Sequence, residues 1–181
     1  MSTGNGAPAN SISSQGFKSA VARVSTRRNA RGQGRSHALR LAEEGADIIA
    51  LDVCRQIDTV PYPMADSDDL VTTVDLIKSR GRRVFADEVD VRDLQGLEAA
   101  VAAGVSELGG LDIVVANAGT LNDTAPLWEI TEQQFQDQID VNLTGVWTAA
   151  AWEVGRNSCI GVIREYTCRV LTYGVADRYV W

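Results

Sequence analysis

Hydrophobic positions along this chain recur in two alternating periods. Ala38, Leu39, Leu41 and Ala42 keep helical spacing behind Gly32 and Gly34, and Gly45 follows where such a helix should stop. Asp47, Ile48, Ile49, Ala50 and Leu51 then read as a short buried strand closing on Asp52. Leu70, Val71, Val74 and Ile77 predict a second helix, capped by Ser67, Asp68 and Asp69 and ending at Gly81. Residues 83–89 alternate as a third strand. Asp93 caps the next helix, whose core face is Leu94, Leu97, Ala100, Val101, Val105 and Leu108, with Gly109 and Gly110 behind it. Residues 111–116 are nearly all apolar, as a central parallel strand covered on both faces should be. Thr131 and Glu132 open a further helix carrying Phe135, Ile139, Val141 and Leu143. Upstream, Ala20, Val21, Ala22 and Val24 offer a thin first strand within residues 17–25. Strand and helix therefore alternate four times. That order predicts an α/β fold, a Rossmann-type doubly wound parallel sheet with helices on both faces.

Three stretches break the pattern. Residues 54–69 hold Pro61 and Pro63 and cannot be regular helix, so they read as a loop inserted after the second strand. Residues 26–31 crowd Arg27, Arg28 and Arg31 into the turn before Gly32, either as a solvated basic loop or as phosphate partners. Residues 1–16, rich in Gly, Ser and Asn, read as a disordered leader with neither the basic start nor the apolar block of a secretory signal.

Composition narrows the classes. With 181 residues, 45% of them hydrophobic, the chain can bury one core, expected over residues 17–147. A net charge of −7 argues against nonspecific binding to nucleic acid or anionic membrane. No apolar run reaches the roughly 18–20 residues of a spanning helix. Cys54, Cys159 and Cys168 have no metal-ligand spacing and cannot all pair, so reduced thiols of a cytoplasmic protein are expected, with no metal.

The candidate chemistry lies in the first helix and second strand. A Gly-x-Gly pair, then helix, strand and an acid 18 residues after Gly34 is the order of a dinucleotide-binding half-fold. Such glycines let backbone amides approach a pyrophosphate at a helix N-terminus. Asp52 can accept both ribose hydroxyls and would repel a 2′-phosphate, which favours NAD over NADP. As isolated features, Gly45 and Gly119 could be turn glycines, Asp90 a helix-entry acid, and Asn142 a polar residue facing solvent.

The chain also carries ARGQGRSHALRLAEEGADIIALDVC, the insert QIDTVPYPM, then DVRD, LDIVVANAG and IDVNLTGVW. In these stretches it resembles the short-chain dehydrogenase/reductases, most of all their mycofactocin-associated, carveol-dehydrogenase-like branch. They span roughly two thirds of the chain, and NAG followed about 25 residues later by DVNLTGVW is a specific combination. The resemblance implies a Rossmann fold, NAD(H), and alcohol–ketone interconversion on a small hydrophobic molecule. It implies that Gly32, Gln33 and Gly34 line the pyrophosphate, Asp52 binds the adenosine ribose, and Asp90 with Val91 meets adenine. Asn117, Ala118 and Gly119 would edge the cofactor. Asn142 matches the family's helix asparagine, which anchors a water in the proton relay. Members are usually homo-oligomers.

The sequence departs from the family in three places. The positions of the family's opening Thr-Gly fall on Arg27 and Arg28, and a non-glycine residue at positive φ costs about 1 kcal/mol or more. The family's catalytic serine and Tyr-x-x-x-Lys have no counterpart. The two lysines are Lys18 and Lys78, while Tyr166 and Tyr173 are followed at that spacing by Val170 and Asp177. Residues 148–181 carry no family motif, though residues 160–163 and 169–173 could form short strands. A truncated or frame-shifted longer reading would produce that pattern and would leave a sheet edge and an apolar helix face uncovered. Two functions follow: an NAD-dependent oxidoreductase, inactive as written, or a noncatalytic nucleotide-binding remnant of one. A Rossmann-class methyltransferase would fit Asp52 and the glycines but leave NAG and DVNLTGVW unexplained.

Overall fold

The computed structural model describes residues 19–23, 32–121, 125–154 and 161–164. Its centre is strand β2 (Asp47–Asp52), every residue of which is buried. Period-two alternation sends its side chains to opposite faces. Ile49 and Leu51 join a core with Leu97, Ala100, Val101 and Leu108 of helix α3 (Leu94–Leu108). Ile48 and Ala50 join Ala38 and Ala42 of helix α1 (Gln33–Glu43), with Leu70 and Ile77 of helix α2 (Ser67–Lys78). Helices therefore cover both faces of the sheet.

Strands β1 (Ser19–Arg23), β3 (Val84–Glu88), β4 (Ile113–Ala116) and β5 (Gly161–Arg164) complete it, in the order β3-β2-β1-β4-β5 with every pairing parallel. Strands β2 and β4 are the two neighbours of β1. The chain thus winds outward from β1 to β3, then reverses to β4. That reversal is a topological switch point, and the crevice at the strands' carboxyl ends is where such sheets place ligands.

Local chemistry sets the boundaries. Gly45 (φ 98) leaves α1 through a left-handed turn in which its N–H donates to the Ala42 carbonyl, and Ala46 N–H to that of Leu41. Gly109 (φ 91) ends α3 in the same backbone region. Asp93 caps α3 by accepting the Gly96 amide, as expected. The cap of α2 is Asp66, one residue earlier than the Ser67–Asp69 reading, because its carboxylate is the one that accepts the Asp69 amide. At the start of β2, buried Asp47 is held by Arg82 and Arg83, which tie it to the approach of β3.

The insert is a folded loop. The Gln56 side-chain amide donates to the carbonyls of Ile57, Val60 and Tyr62, and its oxygen accepts the Met64 amide. Ile57 and Val60 form a small core with Val91 and Val141, against which Tyr62, Met64 and Ala118 pack. Helix α4 (Glu132–Ile139) starts at Thr131 with a reciprocal capping box to Gln134. A π-turn (Asp140–Thr144) joins it to α5 (Gly145–Val154). Secondary structure therefore continues past residue 147, and β5 falls on part of the expected 160–163 strand. The leader, the arginine-rich turn, and the 169–173 strand lie outside the described residues. Phe135 and Trp147 expose more than half their surface, and Leu143 half. Among the described residues no helix is long and apolar enough to cross a membrane.

Because Ile49 is fully buried between β2 and α3, Ile49→Ala leaves a cavity with no means of collapse at the centre of the sheet. It should cost about 2–5 kcal/mol in urea-unfolding stability. A change below about 1 kcal/mol would show that β2 is not the core strand.

Candidate functional site

The rim of the sheet beyond the strand carboxyl ends gathers the predicted residues from five segments. Gly32 is the N-cap of α1 and Gly34 is buried in its first turn, while Gln33 is exposed. Arg35, one residue on, reaches sideways to α2, donating to Thr73 Oγ1 and to the Asp69 carbonyl, each at 2.8 Å. The start of α1 is thereby fixed against its neighbour.

Asp52 ends β2, 4% exposed. Its Oδ1 accepts the Cys54 amide at 3.0 Å, which closes a tight turn and compensates Cys54 for its left-handed backbone (φ 47). Burial pushes the Cys54 thiol up to about 12, with the charges of Asp52 and Glu88 adding to the effect. It is a protonated thiol at neutral pH and no nucleophile.

Asn117, Ala118 and Gly119 follow β4. Asn117 is 1% exposed, and its amide donates to the Val115 carbonyl in a tight turn. Three residues further on, Thr120 meets Asn142, and the contact is reciprocal. Asn142 Oδ1 accepts the Thr120 amide at 2.7 Å, and Nδ2 donates to the Thr120 carbonyl at 2.9 Å. Asn142 is buried, not solvent-facing. A Cβ on Gly119 would lie 3.1 Å from Asn142 Oδ1, so a small residue is needed for this approach. The π-turn places Asn142 here, and such turns often sit at functional sites because they free a backbone carbonyl from the helical ladder. The Thr120 hydroxyl is buried with no hydrogen-bond partner among the described residues.

Asp90 lies between β3 and α3, beside buried Val91. Its Oδ1 accepts the Arg92 amide and Nε, both at 3.0 Å. Its Oδ2 accepts Arg92 Nη2 at 2.7 Å and Arg55 Nη2 at 3.0 Å. Burial opposes ionisation of Asp90, but these hydrogen bonds and the Arg92 charge prevail, and the carboxyl falls to about 2. The Arg92 guanidinium also donates to Asp137 of α4 at 3.1 Å, and Thr59 of the insert donates to the other Asp137 oxygen at 2.6 Å. Tyr62 of the insert accepts the Leu121 amide at 3.1 Å. One polar network therefore joins the insert, the loop after β3, the loop after β4 and the helix that leads into Asn142.

Sequence analysis assigns no role to Arg55, Thr59, Tyr62 or Asp137. Asp137 was findable only as an acid on a polar helix, and its burial comes from contacts 45 and 78 residues away along the chain.

Glycines at a helix start, a buried acid closing the second strand, and an asparagine-bearing helix break thus stand along the rim of a Rossmann-type parallel sheet. The chain belongs to the short-chain dehydrogenase family, whose model, described as short chain dehydrogenase, matches residues 29–153. An uncharacterized NAD-dependent oxidoreductase of Mycobacterium tuberculosis is 56% identical over 119 residues, which are 65% of this chain and 43% of the relative. A (-)-trans-carveol dehydrogenase of Rhodococcus erythropolis is 46% identical over 121 residues, 67% of this chain and 44% of its own. Among solved structures, carveol dehydrogenase from Mycobacterium avium in complex with NAD superposes with a TM-score of 0.70 at 48% identity, covering 77% of this chain and 49% of that one. The chain spans less than half the length of the curated relatives it matches.

The Asp90 network yields a pH signature. A carboxyl lowered in the folded state adds stability above its unfolded pKa, near 4, and loses it as pH falls towards about 2. Asp90→Asn should therefore lower stability at pH 7 by about 1–2 kcal/mol, allowing for screening at a half-buried site. The gap to the parent should close as pH falls from about 4 to 2. A gap that stays constant over that range would assign the loss to something other than charge.

Proposed function

We propose that residues 17–147 are an NAD-binding domain of short-chain oxidoreductase type, drawn from a lineage that interconverts small hydrophobic alcohols and ketones. The observation that carries this reading is buried Asp52 closing β2, one strand from the switch point between β1 and β4, on the sheet that the Gly34 turn of α1 packs beside. The residues fit the cofactor. A buried carboxylate suits paired ribose hydroxyls, the buried glycine turn suits a close pyrophosphate, and the buried Thr120 hydroxyl offers a polar group beside Asn117, Ala118 and Gly119. The NAD named for the Mycobacterium avium structure supports the same choice.

In this reading Gly32, Gln33 and Gly34 hold the pyrophosphate, Asp52 the adenosine ribose, and Asp90 with Val91 the adenine. Asn117, Ala118 and Gly119 edge the nicotinamide half. When bound, NAD supplies a ring carbon that accepts or returns a hydride. The Asn142 side chain is committed to Thr120, so its contribution to a proton relay comes from backbone freed by the π-turn, which can order a water. Ordering water is not acid–base chemistry: that needs a group able to give up a proton at the substrate oxygen. The chain has no Tyr-x-x-x-Lys to supply one. We therefore take this chain to bind NAD without turnover, as a nucleotide-binding remnant would.

Titration of the whole chain with NAD and NADP, followed by an absorbance assay for NADH with a panel of secondary alcohols, tests both parts. NAD should bind more tightly than NADP, by a few kcal/mol at most because the site is partly wet. Asp52→Asn should weaken NAD about tenfold or more. No alcohol should yield NADH. Tighter NADP binding would contradict the role of Asp52, and turnover abolished by Asn142→Ala would reveal an acid–base group outside this account.

A further inference from the structure

We propose that Arg55 sets the affinity and base selectivity of the cofactor pocket by competing with the adenine amino group for the Asp90 carboxylate. The inference rests on the reading above, in which Asp90 meets adenine. A carboxylate offers about four lone-pair positions. Here four donors already fill the Asp90 carboxylate: the Arg92 amide and Nε on Oδ1, and Arg92 Nη2 and Arg55 Nη2 on Oδ2, with Arg92 Nε also shared with Oδ2 at 3.1 Å. An incoming N–H must displace one of them.

The four donors are not equally held. Arg92 is two residues from Asp90, grips it with backbone and side chain, and is anchored at its far side by Asp137. Releasing it would break the network that joins α4 to the loop after β3. Arg55 reaches in from the first residues of the insert, through a single nitrogen, with 66% of its side chain exposed. Its guanidinium can return to water with little loss, because exposed ion pairs are weak. Arg55 is therefore the donor that yields, and its Oδ2 position is the one adenine takes.

Arg55 also affects which base is preferred. The exocyclic amino group of adenine donates to a carboxylate. A ring carbonyl at the same position, as in hypoxanthine, accepts instead, is repelled by Asp90, and can be met by the Arg55 guanidinium. Arg55 thus costs adenine some affinity and helps an oxo base. The insert brings this arginine three residues after Asp52, so the residue that binds the ribose and the one that tunes the base share one turn of chain.

The test uses the full chain and three variants of position 55, with NAD and nicotinamide hypoxanthine dinucleotide as probes. Arg55→Ala should bind NAD about two- to fivefold more tightly, leave the hypoxanthine analogue unchanged or weaker, and raise the ratio of the two dissociation constants at least about twofold. Arg55→Lys, which keeps a cationic donor, should stay near the parent ratio, with Arg55→Gln between them. The side chain is exposed, so the melting temperature should hold across the series. An unmoved ratio with the parent still binding NAD would overturn the competition and leave the NAD reading intact. Failure of the parent to bind either dinucleotide would overturn that reading, and this inference with it.

Discussion

Strand β2 is buried from end to end, and a backbone in that position can satisfy its polar groups only through neighbouring strands on both edges. That requirement puts β1 on one side and β3 on the other. The two faces of β2 then need separate apolar covers, which α1 with α2, and α3, provide. The strand carries an acid at each end, and the two serve different purposes. Asp47 is held by Arg82 and Arg83 and fixes the approach of β3. Asp52 bonds the turn at Cys54 and stands at the carboxyl-end rim, one strand from where the sheet reverses direction. The same burial that stabilises the core thus delivers a carboxylate to the rim at a fixed height above it.

The rim itself is held by polar contacts. Asn142 pairs with the Thr120 backbone, Arg92 spans Asp90 and Asp137, and Thr59 and Tyr62 tie the insert to both sides. Each joins segments far apart in sequence at a place with little apolar area to pack. Directional bonds there fix geometry more than they add stability, since a typical bond contributes only about 1 kcal/mol net. A nucleotide site has the same need, because its donors and acceptors must be in place before a flexible ligand is ordered against them.

How much of this was legible in the sequence depended on range. Period-two and helical spacing located α1, β2, α2, α3, β4 and α4, and Gly45, Asp93, Gly109 and Thr131 marked helix ends, because those signals act within a turn or two of chain. The cap of α2 was placed one residue late, since Ser67, Asp68, Asp69 and Asp66 are chemically interchangeable as caps and only geometry chooses. Resemblance located Asn142 and Asp90 but not what holds them. The partners of Asp90 and Asp137 come from the insert and from loops dozens of residues apart, and no periodicity encodes such meetings. The insert read as an irregular loop, and up to Asp66, where α2 takes over, it has no regular elements. Its order comes from the Gln56 amide and a core shared with Val91 and Val141.

The central claim is that this rim, from the Gly32 turn to Asn142, is one preorganised dinucleotide site. Amide hydrogen exchange of the whole chain with and without saturating NAD tests it most directly, because it reports where the ligand lands as well as whether it binds. The account predicts slowed exchange in four separate stretches, near residues 33–36, 52–55, 90–92 and 117–120, with α3 and the start of β2 unchanged. Protection confined to a single stretch, or none at the Asp52 turn while NAD is bound, would contradict it.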